Sequence, residues 1–300
     1  MPVSLQLLHS AEVCVLMIMY ADTCMKPEEK SMHKLSIVTV CFNSEKTIEE
    51  TIKSIVCQKN DDIEYIIIDG KSTDGTMEII NRYKEHIDKI ISERDGGISD
   101  AFNKGIRLAD GEFIGIVNSD DMLLPWAAES VIDKAKPDTD VFYGQGIRYF
   151  SEDKCKRFTV VESHNQLHTS MPLCHPATFV RKSAYEKWGG FSNMYKYTMD
   201  RELLLRMLDG GAKFQYSRCF FAVYRMGGAS DETYLKGVLP EMSRINRDDG
   251  MLRFKVSVHY IYDIIFYYLL QFRNRVLCDK KLVPYKQIFA EVRPGKEDSV

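Results

Sequence analysis

No stretch of this 300-residue chain stays apolar for the roughly 18 residues that read as a transmembrane helix. Charge of one sign is also missing. The 40 basic and 43 acidic side chains leave a formal charge of −3, which excludes the electrostatic footprint of a nucleic-acid binder. The eight cysteines include no CxxC pair and no cluster with metal-ligand spacing. Scattered over a chain of this length, they fit reduced, buried thiols of the cytosol better than a secreted disulfide framework. Neither GxGxxG nor GxxxxGKS/T follows the first strand-like segment, which counts against a dinucleotide enzyme and a P-loop NTPase. What the chain has is a globular balance of 45% hydrophobic and 28% charged residues, so wholesale disorder is excluded too.

Residues 1–33 do not share the pattern that follows. Their apolar run, Val13 to Tyr20, is about half the length needed to cross a bilayer, and no basic region precedes it. Regular patterning starts at Leu35, just after Met32-His33-Lys34. The expectation is an N-terminal extension whose natural start is Met32, with a weak interfacial anchor as the alternative.

From Leu35 onward, strands and helices alternate. Leu35–Phe42 is a β-rich apolar run, and Asn43-Ser44 offers caps for a helix with Ile48, Ile52, Ile55 and Val56 at helical spacing. Ile63–Ile68 is a second buried strand, followed by turn residues Ser72-Thr73-Asp74-Gly75 and a helix carrying Ile80, Tyr83 and Ile87. Lys89–Ser92 makes a third strand, Ala101 to Ala109 a helix, and Phe113–Val117 a fourth strand. This alternation predicts βαβ units and a parallel sheet. After Asp140 the pattern predicts short strands at Val141–Tyr143, Ile147–Phe150, Phe158–Val160, Thr178–Val180 and Phe220–Tyr224, in a mixed or antiparallel region. A short helix ends at Trp188, another is opened by Asp200, and the chain reads as helical beyond Asp231.

Ligands of an open parallel sheet bind at the carboxyl ends of its strands. Asp69, Asp95, Asp120 and Asp121 fall there. Asp74 and Asp110 read as turn or cap residues. Adjacent carboxylates such as Asp120-Asp121 repel unless a cation joins them. A hard divalent ion, Mg²⁺ or Mn²⁺, shared with a substrate diphosphate resolves that repulsion.

Four segments, in order and spacing, then carry a resemblance. They are Thr39-Val40-Cys41-Phe42-Asn43, Ile68-Asp69-Gly70-Lys71-Ser72-Thr73-Asp74-Gly75-Thr76, Asp95 to Gly105, and Asn118-Ser119-Asp120-Asp121. Over about Leu35 to Gly228 the chain resembles the family 2 glycosyltransferases with the GT-A fold. Its DGGxxDAxNKG segment, with His175 and Trp188-Gly189-Gly190-Phe191 downstream, is similar to bacterial transferases of polysaccharide and lipopolysaccharide assembly. The resemblance implies an α/β, Rossmann-like mixed sheet flanked by helices over residues 34–231, with a C-terminal helical segment over 232–300. It further implies a nucleotide-diphosphate-sugar donor, a UDP-sugar, and a glycan or lipid-linked acceptor. Thr39 and Asp95 would border the nucleotide, Phe42 would lie against the base, and Asp69 would accept the base N–H. Asp120 would reach the ribose and Asp121 would ligate the metal, with Asp120 beside it. Asn118 stands where the family often has an acid. His175, Trp188, Gly189 and Gly190 would border the acceptor, although a structural histidine beside Pro176 is an equal reading of His175. Asp200 would be the catalytic base of an inverting transfer, standing without the second acid the family often carries at the place of Met199. An N-cap role for Asp200 is compatible with this.

Val256–Phe272 is rich in Tyr, Ile, Phe and Leu, is interrupted by Asp263, and is followed by Arg273, Arg275, Lys280 and Lys281. It reads as a helix lying in a membrane surface beside a lipid-linked acceptor, or as a helix packed on the catalytic domain. The expected location is the cytoplasm, peripheral on the inner face of the membrane. Two alternatives were weighed. A sugar-nucleotide nucleotidyltransferase should carry a glycine-rich basic loop after strand one, and Phe42-Asn43-Ser44-Glu45 is not one. A non-catalytic GT-A-like binding module would have no need of Asp69, Asp120, Asp121 and Asp200 together.

Overall fold

The computed structural model describes residues 34–150, 154–158, 164–226, 233–251, 253–277 and 283–284. The N-terminal extension, Thr159-Val160, Gly227-Gly228 and Lys280-Lys281 lie outside the described residues. Strands β1 (Leu35–Cys41) and β2 (Ile63–Asp69) are buried at every position, as near-continuous apolar runs require of strands covered on both faces. They pair in parallel. β3 (Lys89–Ser92) lies outside β2, and β4 (Phe113–Ile116) lies on the other side of β1. Helices α1 (Ile48–Val56), α2 (Thr76–Arg82) and α3 (Ile98–Leu108) lie in the connections. α3 approaches the sheet closely at Gly105, where a Cβ would stand 2.2 Å from Val38 Cγ1, so only glycine fits there.

Beyond β4 the sheet becomes mixed. β5 (Met122–Leu123), α4 (Ala127–Lys134), β6 (Val141–Tyr149), β7 (Lys154–Phe158), β8 (Thr178–Arg181), α5 (Lys182–Trp188), α6 (Met199–Asp209) and β9 (Phe214–Arg225) follow in order. β8 is antiparallel to both β4 and β6, between which it lies, while β9 runs parallel to β6 and antiparallel to β5. Helices α7 (Leu239–Asp248) and α8 (Arg253–Leu277) come next, and β10 (Val283–Pro284) adds to β7. The order β10-β7-β6-β8-β4-β1-β2-β3 reverses between β1 and β4, which creates a switch-point crevice at their carboxyl ends.

Three local expectations are corrected. Val141–Tyr143 and Ile147–Tyr149 belong to one strand, β6, which ends just before Phe150. The glycines between them lower the apolar signal because neighbours fill their space. A Cβ on Gly144 would meet Phe221 Cδ2 at 2.4 Å, and one on Gly146 would meet Cys174 Sγ at 2.5 Å. β9 begins at Phe214, six residues before its apolar core, because its pairing with β6 continues through a register irregularity. Asn43 and Ser44 do not cap α1, whose cap position is Thr47. Asn43 instead adopts a left-handed backbone (φ 50°) and locks the loop after β1 to the loop after β2. Its N–H donates to Ser72 Oγ (2.8 Å), and its Oδ1 accepts from Thr73 N (2.9 Å).

Candidate active site

Two cavities open at the carboxyl ends of the parallel strands. The larger, of about 800 Å³, runs from Phe42 and Asp95 to Asn118, Asp120, Asp121 and Arg225. The second, of about 630 Å³, holds His175, Tyr195, Tyr197 and Asp200. Gly97, Ile98, Asn118 and Tyr224 line both, so the cavities adjoin there. The loops after β1 and β4 are tied across the crevice by the Ser44 and Ser119 hydroxyls, 2.7 Å apart.

At one end of the larger cavity Phe42 is 61% exposed, an unusual cost for a phenylalanine and a ready stacking face for a planar group. Asp95 stands close by. Its Oδ1 accepts from Gly97 N (3.0 Å), and a Cβ on Gly70 would come within 2.7 Å of its Oδ2. Gly70 is therefore bare so that Asp95 and Phe42 can approach one another.

At the other end lies the acidic pair. Asp121 is 1% exposed and, among the described residues, accepts from Arg225 N (3.0 Å) and, at 3.4 Å, from Asn118 Nδ2. Burial, and then repulsion from Asp120, push its carboxyl well above the usual carboxylate range; Asp120 is raised as well, chiefly by burial. Neither carboxylate forms an ion pair among the described residues. Asn118 Oδ1 is buried with no hydrogen-bond partner. Hard oxygen donors, an under-neutralised buried charge and an orphaned carbonyl fit a divalent cation. A separate group, His168, Asp209 and Asp249, has ligand atoms within 4.8 Å of one another. It lines neither cavity and clasps the end of α6 to that of α7, with His168 Nδ1 2.9 Å from Asp249 Oδ2.

Arg225 is a residue that the sequence patterns did not flag. Its Nε donates to the Asp120 carbonyl (3.1 Å), its guanidinium pairs with Glu50 (2.5 Å) and it lies 5.1 Å from the Tyr149 ring centroid. With Lys46 it is the basic lining of an otherwise acidic cavity.

In the second cavity, α6 starts at Met199 with Thr198 at its cap position, so Asp200 is the second helical residue and not the cap. Its Oδ1 accepts from Arg201 N (2.8 Å). His175 packs against Phe102 and Phe191 (ring centroids 5.6 and 6.0 Å). Burial lowers its pKa from the ordinary value, against an opposing pull from Asp200, so the imidazole is neutral at neutral pH. Glu202, the next acid, is committed to Arg206 through two contacts of 2.9 and 3.1 Å.

Five expected site residues line neither cavity. Thr39 is wholly buried in β1 and accepts from the Tyr65 hydroxyl (3.2 Å). Asp69 is fully buried too. Its carboxylate is used up by Ser72 N, Ser72 Oγ, Ser92 Oγ and Cys41 Sγ, so it builds the turn after β2. Trp188, Gly189 and Gly190 form a joint between helices. Arg206 of α6 donates to the carbonyls of Trp188 and Gly190, while Asn103 of α3 brackets the backbone of Phe191. Asp74 is the turn residue expected of it, accepting from Thr76 N (3.0 Å) and Thr76 Oγ1 (2.6 Å).

A mixed sheet with its switch point between β1 and β4 and a carboxylate pair at that point is the GT-A fold of nucleotide-sugar transferases. The chain is similar to the mannosyltransferase PcManGT of Pyrobaculum calidifontis, solved with GDP-Man and Mn²⁺ (TM-score 0.56, 17% identity, 81% of this chain and 73% of that one). It is also similar to S. aureus TarS residues 1–349 solved with UDP-GlcNAc (TM-score 0.54, 18% identity, 71% and 66%). The Glycosyl transferase family 2 model matches residues 36–189, just over half of the chain, and the protein belongs to that family. A cholesterol galactosyltransferase of Borreliella burgdorferi is 33% identical over 136 residues, which cover 44% of this chain and 38% of that relative. The match thus spans about two fifths of that relative's length.

Proposed function

We propose that this glycosyltransferase moves a sugar, with inversion, from a UDP-sugar to a hydroxyl of a glycan or lipid-linked acceptor in cell-surface polysaccharide assembly. The observation that carries the reading is the pair of adjoining cavities, one with the acidic pair and the other with Asp200. The base would lie on Phe42 with Asp95 at its edge, and the ribose would reach Asp120. Asp120 and Asp121 would hold Mg²⁺ or Mn²⁺, which when bound supplies positive charge for the departing diphosphate. Arg225 adds a fixed cation at the same end. Asp200 accepts the proton of the acceptor hydroxyl as that oxygen attacks the anomeric carbon. His175, neutral and wedged between aromatic rings, shapes the wall beside Asp200. Tyr197 and Tyr224, both partly exposed, offer the flat faces that sugar rings favour. Nucleotide release from a panel of UDP- and GDP-sugars tests the reading. Turnover of one donor supports it, and turnover of none removes it.

The same reading puts the protein on the cytoplasmic face of a membrane. Among the described residues no helix is long and apolar enough to cross a membrane. α8 instead exposes Phe254, Val258, Ile261, Ile265, Tyr268 and Leu269, which recur at helical spacing along one face. Asp263 does not break this stripe. It lies on the inner side, half-buried, where burial raises its pKa against the opposing pull of His259 and Arg201. The basic residues that follow suit an anionic surface. Ile261→Glu with Ile265→Glu is expected to abolish sedimentation of the full chain with anionic vesicles. Both positions are exposed, so the melting temperature should hardly change. Unaltered sedimentation would end the membrane reading.

A further inference from the structure

The wall of the second cavity between Tyr195 and Met199 is backbone without regular structure, and the first N–H groups of α6 have no partner within the helix. Such groups must be satisfied by something else. For the three amides just before Met199, up to and including the cap residue, a single carboxylate from another helix does it. Glu241 of α7 accepts from Lys196 N through Oε1 (2.8 Å), and through Oε2 from Tyr197 N (2.8 Å), Thr198 N (3.0 Å) and Thr198 Oγ1 (3.0 Å). Thr198 is the cap residue of α6 and makes no side-chain cap bond within it. Glu241 thus braces the approach to α6 from outside, close to a helix N-terminus, where a negative charge is favoured by the helix dipole.

The grip continues on the other side of Asp200. Arg201 is fully buried, and its guanidinium donates to Leu167 O (2.9 Å), Met242 O (3.4 Å) and Asn246 Oδ1. Two of those three acceptors belong to α7. The turn before α7 also supports the wall. A Cβ on Gly237 would come within 2.5 Å of Tyr197 Cε2, so the Tyr197 ring rests on bare backbone. Residues on both sides of Asp200 are therefore fixed by α7.

We infer that Glu241 is a positioning residue for the acceptor half of the reaction. It touches neither cavity, holds residues 196–198 in place, and through them sets the first turn of α6 and the place of Asp200. The inference rests on the function proposed above. It also gives the helical segment after residue 232 a part in the chemistry beyond any contact with a membrane.

Glu241→Gln in the full chain tests it. The amide keeps the volume but turns one acceptor oxygen into an N–H₂ aimed at other donors. Amide hydrogen exchange at Lys196, Tyr197 and Thr198 is expected to accelerate at least tenfold, with β1 and β2 unchanged. Binding of UDP in Mn²⁺ should stay within twofold of wild type. Nucleotide release from the donor the wild type uses should fall at least tenfold in kcat, with the donor KM unchanged. A purely structural role would not produce that split. Unchanged exchange at these amides, full turnover despite faster exchange, or UDP binding lost in step with turnover would each overturn the inference. Should the glutamine variant not fold, Glu241→Asp, which withdraws the carboxylate by one methylene, must show the same split. A wild-type protein in which these three amides are unprotected overturns the inference without any variant. Failure of the functional reading is seen separately, as a wild type that turns over no donor. The exchange measurement still decides in that case whether Glu241 holds the loop.

Discussion

Asp200→Asn is expected to cut sugar transfer by about 10²–10⁴-fold, the usual range for losing a general base. UDP binding in Mn²⁺ should stay near the wild-type value, because Asp200 lines the second cavity and not the one with the acidic pair. Stability should also hold. Thr198, not Asp200, occupies the cap position, and the amide oxygen can still accept from Arg201 N. What is lost is one charge in the first turn of α6, a matter of about 0.3–1 kcal/mol. Rate, nucleotide affinity and melting temperature measured on one preparation separate the two roles. A variant that melts far lower while its folded fraction keeps full specific activity would leave Asp200 structural. Glu202 could not then take its place without giving up Arg206.

On the proposed function, Asp121→Asn is expected to remove most metal-supported turnover, on the order of 10²-fold or more, because Asp121 would be one hard anionic ligand for an ion that neutralises the diphosphate. Yet the variant should fold at least as well as the metal-free wild type. Its Oδ1 can still accept from Arg225 N, and a turned Asn118 can offer its orphaned Oδ1 to the new amide. The pH dependence carries the sign. Burial and Asp120 raise the Asp121 pKa in the folded state above its unfolded value. Unfolding therefore releases protons from this group between the two values, so its contribution to the stability of the metal-free wild type is fully present below the ordinary carboxylate pKa and is lost as pH rises toward the folded one. In the variant that slope should shrink by the share that Asp121 supplied. Added Mn²⁺ should raise the wild-type melting temperature at neutral pH and leave the variant unmoved. Full turnover in excess chelator would show the acidic pair to be structural.

The legible and illegible parts of this protein divide along physical lines. β1, β2 and β4 could be read from the chain because strands covered on both faces must be apolar almost throughout. β6 and the front of β9 could not. Gly144, Gly146 and polar Gln215 and Ser217 interrupt the pattern there, for reasons that lie in the packing of Phe221 and Cys174 and in the pairing of the two strands. At the site, Phe42, Asp95, Asp120, Asp121, His175 and Asp200 are brought to the cavities as their motifs led one to expect. Asp69 stands at an equally suggestive strand end, but Ser72 and Ser92 close over it. No local signal distinguishes an Asp that faces ligand from one that folds a turn. Arg225 and Glu241 were invisible for a different reason. They act on residues more than 40 positions away, across elements whose adjacency only the folded topology creates.

The central claim is that a nucleotide diphosphate and a divalent ion share the cavity of Phe42 and the acidic pair. Calorimetric titration of the full chain with UDP and with GDP, each with and without Mn²⁺, tests it most directly. One of the two nucleotides should bind in the presence of Mn²⁺, lose that binding when the ion is withheld, and lose it again in Asp121→Asn. Binding of neither nucleotide, or binding that is the same with and without Mn²⁺, would contradict the account.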